Sequence, residues 1–249
     1  MSVSESKTPA PMAGSPEMAA VIEKLRKFDT ATVCNVIELF EVRPHHKGYL
    51  GGSIKSYFPE LPPMVGYAYT CTYSGAEPGP NITLGENIDN FAKTPEPRVM
   101  VFQTLESPPA SAIFGDIACS FYKEFGCVGL VTDGAGRDFD EIRKLDFPCF
   151  ASETICSHGY ARVTAINIPV TLTGQEILPG DLIHGDANGV AIVPIEIASG
   201  VADACGPMRD AESDLLGKVN APSATVKDVS RAHREFLAAC DELQRAIAG

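Results

Sequence analysis

Between Gly115 and Asp138 the chain reads GDIACSFYKEFGCVGLVTDGAGRD, a run of turn, helix, turn, strand and turn that fixes much of what can surround it. Gly115-Asp116 opens a helix, with Asp116 the expected cap and Ile117, Phe121 and Phe125 following at i, i+4 and i+8 along one face. Gly126 suits the C-terminal stop, and Val128–Thr132 is the short apolar run of a buried strand. The strand ends in Asp133-Gly-Ala-Gly-Arg137-Asp138. Such a glycine-permitted turn can bring backbone close to a ligand, while Arg137 forks onto a carboxylate and Asp138 faces a metal.

The rest of the chain mixes helices and strands without regular alternation, which predicts a compact α/β domain with mixed sheets. Residues 1–17 are Ser/Pro-rich and read as a mobile tail. A helix is expected from Met18, with Val21, Leu25 and Phe28 on one face, and a second over Thr30–Phe40, capped by Asp29 or Thr30. Pro44–Pro63 reads as a long loop whose His45 and His46 are exposed. Val65–Tyr73 and Arg98–Gln103 read as strands, and Gly75–Pro97 as an insert with a short helix near Asn87–Phe91. Later come a short helix at Phe139–Leu145, a brief strand at Pro148–Ala151 and a single strand over Ile166–Thr173. A strand pair follows around Gly185–Asn188. Ser157-His158-Gly159 reads as a turn, with His158 a structural partner rather than a triad member. Helices are expected over Ile195–Ala204, Met208–Val219 and Val226–Ala248. This divides the chain into a tail (1–17), a catalytic domain (18–205) and a C-terminal helical extension (206–249).

Net charge is −12 and no Lys/Arg cluster offsets it, which argues against a nucleic-acid partner. No apolar run reaches the ~18 residues of a membrane span. The eight cysteines are scattered, mostly among apolar neighbours, without the spacing of a zinc site. With no signal-peptide pattern ahead of them, they predict reduced, buried thiols in a cytoplasmic protein.

The residues Gly115-Asp116, Gly126, Gly129, Val131, Asp133-Gly134 and Arg137-Asp138, in this order, resemble the RraA-like family. That family includes class II aldolases that cleave 4-hydroxy-4-methyl-2-oxoglutarate to pyruvate. Pro179-Gly-Asp-Leu-Ile-His-Gly-Asp186-Ala-Asn-Gly-Val190-Ala-Ile-Val-Pro194 resembles a second family signature, and the resemblance extends over roughly residues 28–197. It implies an α/β/β swivelling-type fold with mixed sheets and C-terminal helices. It also implies homotrimers, or hexamers built from them, with active sites between subunits. The family usually carries aspartate where this chain has Asn35, so that position is given no catalytic role.

Aldol cleavage of a 2-keto acid requires a grip on the acid, stabilisation of an enolate and removal of a proton from the departing alcohol. Lys47, Lys55 and Lys93 lie in polar loops, unsuited to a Schiff base. A hard divalent ion, Mg²⁺ or Mn²⁺, on one or two carboxylates suits the sequence better. The resemblance implies Asp138 as direct metal ligand and Asp116 as holding one of the ion's waters. Arg137 would bind the keto acid, and the backbone at Gly115, Ile117 and Ala118 would receive its carboxylate. Glu212, or Asp210 or Asp214 in its place, would come from an adjacent subunit. The reading is a lyase releasing pyruvate, with oxaloacetate decarboxylation as a side activity. Its alternatives are a non-catalytic regulator that binds a ribonuclease, and a lyase or decarboxylase for a different, sugar-derived keto acid, since the loop at 44–63 and the insert at 75–97 depart from the short aldolases and could reshape the pocket. A methyltransferase lacks support, because no glycine-rich nucleotide loop follows a strand.

Overall fold

The computed structural model of the chain describes residues 12–91 and 93–248; residues 1–11 of the expected tail lie outside that range. Helix α1 (Pro16–Leu25) begins two residues ahead of the expected Met18. Ser15 Oγ accepts the Met18 N–H at 3.2 Å, and Pro16 sits in the first turn, where its missing N–H costs nothing. Asp29 caps α2 (Thr30–Leu39) by accepting the Thr32 N–H at 2.9 Å. There follow β1 (Lys55–Ser56), β2 (Met64–Ser74), α3 (Leu84–Phe91), β3 (Arg98–Thr104), β4 (Ala112–Phe114) and α4 (Asp116–Glu124). Next are β5 (Cys127–Thr132), β6 (Ala135–Gly136), α5 (Phe139–Arg143), β7 (Cys149–Ala151) and β8 (Glu153–Thr154). The last elements are β9 (Arg162–Ile166), β10 (Val170–Leu172), β11 (Gln175–Ile177), β12 (Leu182–Asp186), β13 (Gly189–Val193), α6 (Ala198–Val219) and α7 (Val226–Ala248).

The main sheet is mixed, as its sequence implies, with strands ordered β1-β7-β5-β3-β2-β12-β13. β2, β3, β5 and β7 run parallel, and β1, β12 and β13 pair antiparallel at the flanks. β2 is long enough to pair with β12 at one end and with β9 at the other along the same edge. Its side chains alternate between two faces. Val65 and Tyr67 meet α1, α2 and α6, and Tyr69, Cys71 and Tyr73 meet α3, α4 and α5. Met64 and Ala68 point the other way, with Val99, Val101 and Val131, and are covered by the β10–β11 hairpin through Val170, Leu172 and Ile177. The result is an α/β/β arrangement: helices, the mixed sheet, then the hairpin. Full burial of each such apolar side chain is worth roughly 1.5–3 kcal/mol.

Three local readings are corrected. The single strand expected over Ile166–Thr173 is two, β9 and β10, broken where Asn167 adopts φ +57°. The two helices expected on either side of residue 205 are one, α6, which continues through Pro207. The third correction concerns α4. Its Ile117, Phe121 and Phe125 stripe is exposed (70%, 42% and 42%), while Cys119 and Tyr122 face the core.

Candidate active site

Two very short parallel strands do the positioning. β4 pairs with β6 (Ala112↔Ala135, Phe114↔Gly136), and β6 pairs with β8. Gly115-Asp116 leaves β4 where Arg137-Asp138 leaves β6, and the Arg137 N–H donates to Phe114 O at 3.1 Å. The two dipeptides singled out by the sequence thereby become neighbours at the carboxyl ends of parallel strands, where open α/β sheets place their ligands.

Gly115 is extended (φ −149°, ψ −172°), so any residue could adopt its backbone. Space is what demands glycine here: a Cβ would fall against Asp138 Oδ2 and come within 3.4 Å of Arg137 Cγ and Nε. Asp138 precedes α5 in the left-handed region (φ 61°, ψ 36°), which aspartate tolerates better than most residues. Its side chain makes no capping bond to α5. Arg137 Nε lies 3.4 Å from Asp138 Oδ2, both side chains being about one-third exposed (34% and 37%). Arg137 Nη1 donates to Cys156 O at 3.4 Å, holding the guanidinium against the segment after β8. The N-cap of α4 is Gly115 and not Asp116. Asp116 instead accepts the Ile117 N–H on Oδ1 at 2.7 Å, so one of the backbone donors expected to receive a substrate carboxylate is already engaged.

These residues share a cavity of about 280 Å³ with Gly115, Ile117 and Ala118, close to the lower end for small-molecule sites. Tyr73 and Tyr122 lie on its wall, and burial pushes both phenols up, so they remain protonated. Tyr73 Oη accordingly donates to Ala112 O at 2.7 Å, tying the end of β2 to β4. Among the described residues no group of three or more His, Cys, Asp or Glu side chains is placed to hold a metal. The carboxylates at hand are Asp116 and Asp138. That donor set fits a hard ion that keeps most of its waters, because Mg²⁺ is commonly held by one or two carboxylates.

Glu212 is elsewhere. On α6 it accepts from Asn35 Nδ2 at 3.1 Å, joining α6 to α2, and it does not line this cavity. The second signature segment is also away from the cavity. Asp181 Oδ2 accepts the Leu178 N–H at 2.8 Å, and Asp186 accepts the N–H groups of Thr30 (3.0 Å) and Asn188 (2.8 Å). Those carboxylates close turns and anchor α2.

The 75–97 insert does line the cavity, although sequence reasoning singled out none of its residues. Asn81, Ile82, Leu84 and Asn87 come from the insert after β2, and His158 from the turn before β9. The departure from the short aldolases pointed to the insert, but its helix did not reveal which way it faced.

The family model described as RraA-like, Aldolase/RraA, matches residues 30–192. A Halalkalibacterium halodurans protein named "Putative 4-hydroxy-4-methyl-2-oxoglutarate aldolase" is 42% identical over 84 residues, 33% of this chain and 40% of that protein. The chain spans only about half, or less, of the length of the curated relatives it matches first. Among solved structures, an uncharacterized protein from Pseudomonas syringae pv. tomato superposes with a TM-score of 0.71 at 23% identity, covering 94% of this chain and all of its own. A Streptomyces coelicolor protein, described as an unusual member of the RNase ES inhibitor RraA protein family, gives 0.64 at 24% identity, covering 78% of this chain and 95% of that one. At such identities these structures establish the fold.

Proposed function

The chain belongs to the RraA-like family, Aldolase/RraA, and we propose that it is a divalent-metal-dependent carbon–carbon lyase that cleaves a 4-hydroxy-2-oxo acid to pyruvate. The observation that carries this reading is the β4–β6 pairing, which sets Asp116, Arg137 and Asp138 around one cavity. A guanidinium and two carboxylates gathered on one cavity wall support a catalytic reading over a pure binding surface.

The proposed division of labour follows from chemistry. Asp138, with Asp116 beside it, would hold Mg²⁺ or Mn²⁺. When bound, such an ion supplies positive charge where the enolate oxygen develops. Arg137 is the cationic fork on the cavity wall and binds the 2-oxo acid, its planar donors matching a carboxylate. Bare Gly115 lets the acid approach the backbone, and the Ala118 N–H in the first turn of α4 adds the positive end of the helix dipole. Asp116 orients the water that takes the proton from the 4-hydroxyl. The C3–C4 bond then breaks, C4 leaves as a carbonyl, and the electron pair becomes the enolate of pyruvate, which is protonated at C3. Oxaloacetate loses CO₂ through the same enolate, so decarboxylation is the expected side activity. Glu212 enters this scheme only if a second chain brings its α6 to the cavity, which suits a homotrimer or hexamer working in the cytoplasm.

The test is pyruvate release from oxaloacetate and from 4-hydroxy-4-methyl-2-oxoglutarate in Mg²⁺, Mn²⁺ or EDTA. Release that EDTA abolishes is expected. No release under any metal from folded protein, together with tight binding to a ribonuclease in EDTA, would replace the lyase by a regulator.

A further inference from the structure

Cleavage of a 4-hydroxy-2-oxo acid moves two protons. One leaves the 4-hydroxyl for the water that Asp116 orients; the other must reach C3 of the enolate before pyruvate can leave. The titratable side chains on the cavity wall are Tyr73, Asp116, Tyr122, Asp138 and His158, with Arg137 the fixed cation. Burial keeps both phenols protonated, Tyr73 Oη is engaged at Ala112 O, and Tyr122 is only 4% exposed. The two carboxylates serve the ion and its water, and a guanidinium does not release its proton. Among these side-chain types an imidazole is the one suited to both giving and taking a proton near neutral pH.

His158 is an exposed residue on that wall, and the turn that carries it is fastened to the site at three points. Arg137 Nη1 donates to Cys156 O at 3.4 Å, the Ala112 N–H of β4 to Ser157 O at 2.9 Å, and the Tyr160 N–H to Gly75 O at 3.0 Å. Gly159 turns the chain at φ +52°, and a Cβ there would fall 2.6 Å from Gly75 O and from Ser111 Cβ. That φ and that close approach together call for glycine. The histidine therefore sits on a turn tied both to Arg137 and to the strand that delivers Gly115-Asp116.

The ring itself is set up for proton transfer. Nδ1 lies 3.3 Å from Gly159 O, and a carbonyl only accepts, so that contact keeps a proton on Nδ1. Nε2 is then the nitrogen that gains and loses one, and it has no hydrogen-bond partner among the described residues. His45 lies 3.5 Å from a Glu38 oxygen, whereas His158 is in no ion pair among the described residues. Resting on the lyase reading above, we propose that His158 is a further catalytic residue, the acid whose Nε2–H protonates C3 of the pyruvate enolate. The enolate's electron pair forms the C3–H bond, C2 returns to a carbonyl, and the neutral imidazole regains a proton from solvent, where the proton of the 4-hydroxyl has gone. In reverse, neutral His158 takes a proton from the methyl group of pyruvate.

The experiment follows loss of the pyruvate methyl signal by proton NMR in D₂O with Mg²⁺, for wild type, His158→Gln and His158→Ala, beside CO₂ release from oxaloacetate. Wild type is expected to exchange the methyl protons, and both variants to do so about a hundredfold more slowly, the usual worth of a positioned acid or base. CO₂ release should fall by a smaller factor, because the C–C bond breaks before this proton arrives. Added imidazole should restore part of the exchange in His158→Ala, which a merely structural histidine would not allow. Both variants should melt close to wild type, since the ring is exposed. A wild type that decarboxylates oxaloacetate but exchanges no methyl protons, or variants that exchange them as fast as wild type, would overturn this inference alone. So would equal losses in exchange and CO₂ release with no rescue by imidazole. A wild type inert both in exchange and on oxaloacetate would overturn the lyase reading and this inference with it.

Discussion

Gly115 carries no side chain because Asp138 and Arg137 occupy the space that one would need. Gly115→Ala is therefore expected to push the Asp138 carboxylate and Arg137 apart and to lower pyruvate release about a hundredfold, the usual cost of misplacing a catalytic group by an ångström. The stability loss should stay below the ~1–3 kcal/mol of an overpacked core, since the obstructing oxygen ends a partly exposed side chain. Kinetics and a thermal melt on the same preparation check both halves; a fully active variant would contradict the geometry. Asp116, Arg137 and Asp138 were singled out because their dipeptides carry the family resemblance, and the structure places all three on the wall of one cavity. Asn87 was not legible. On α3 it looks like any polar residue of a short amphipathic helix, and only the packing of Phe91 under Tyr69 shows that this face turns inward.

Among the elements, α4 is instructive. Its sequence holds two apolar stripes, Ile117/Phe121/Phe125 and Cys119/Tyr122, and periodicity identifies stripes without saying which one the core takes. The core takes Cys119 and Tyr122, because they fit beneath Phe91 and Phe102. Helix α6 passes through Pro207 despite the lost N–H, since α1, α2 and α7 all pack along it; local propensity predicted a break that tertiary contacts override. The junction of α1, α2 and β12 turns on His184, fully buried, with Nδ1 2.9 Å from Thr30 Oγ1 and Nε2 3.3 Å from Leu25 O. A carbonyl can only accept, so Nε2 carries a proton, and burial, which disfavours the charged ring, leaves Nδ1 to accept from the threonine hydroxyl. Burial holds its pKa below the ordinary 6.5, despite the opposing pull of the Leu25 carbonyl and of Asp186 and Asp29. The unfolded chain therefore binds the extra proton first, and the histidine's contribution to stability is full above about pH 6.5 and shrinks as pH falls below it. Urea midpoints at pH 7.5 and 5.5 should fall on acidification by more in wild type than in His184→Gln. Equal pH slopes would contradict this.

At the scale of the whole molecule, the exposed Ile117, Phe121 and Phe125 stripe runs from the mouth of the cavity along α4, and no helix of the described residues is long and apolar enough to cross a membrane. In the assembly proposed here that stripe faces another copy of the chain. Light scattering should give three or six times the 26.5 kDa chain mass, and Phe121→Glu should lower it; a monomeric wild type would contradict the assembly. A mixed α/β domain was legible from strand and helix patterns, whereas the α/β/β arrangement came only with the family resemblance that the motifs carry. How the insert folds onto β9 was not legible, since Arg162 and Val163 meet it across some eighty residues of sequence. The central claim, that Arg137 grips a 2-oxo acid beside a carboxylate-held metal, is tested most directly by pyruvate release from oxaloacetate in Mg²⁺ for wild type and Arg137→Ala. The account predicts release by wild type that EDTA abolishes, and a loss of at least about a hundredfold in a folded Arg137→Ala. Equal rates in the two proteins would contradict it.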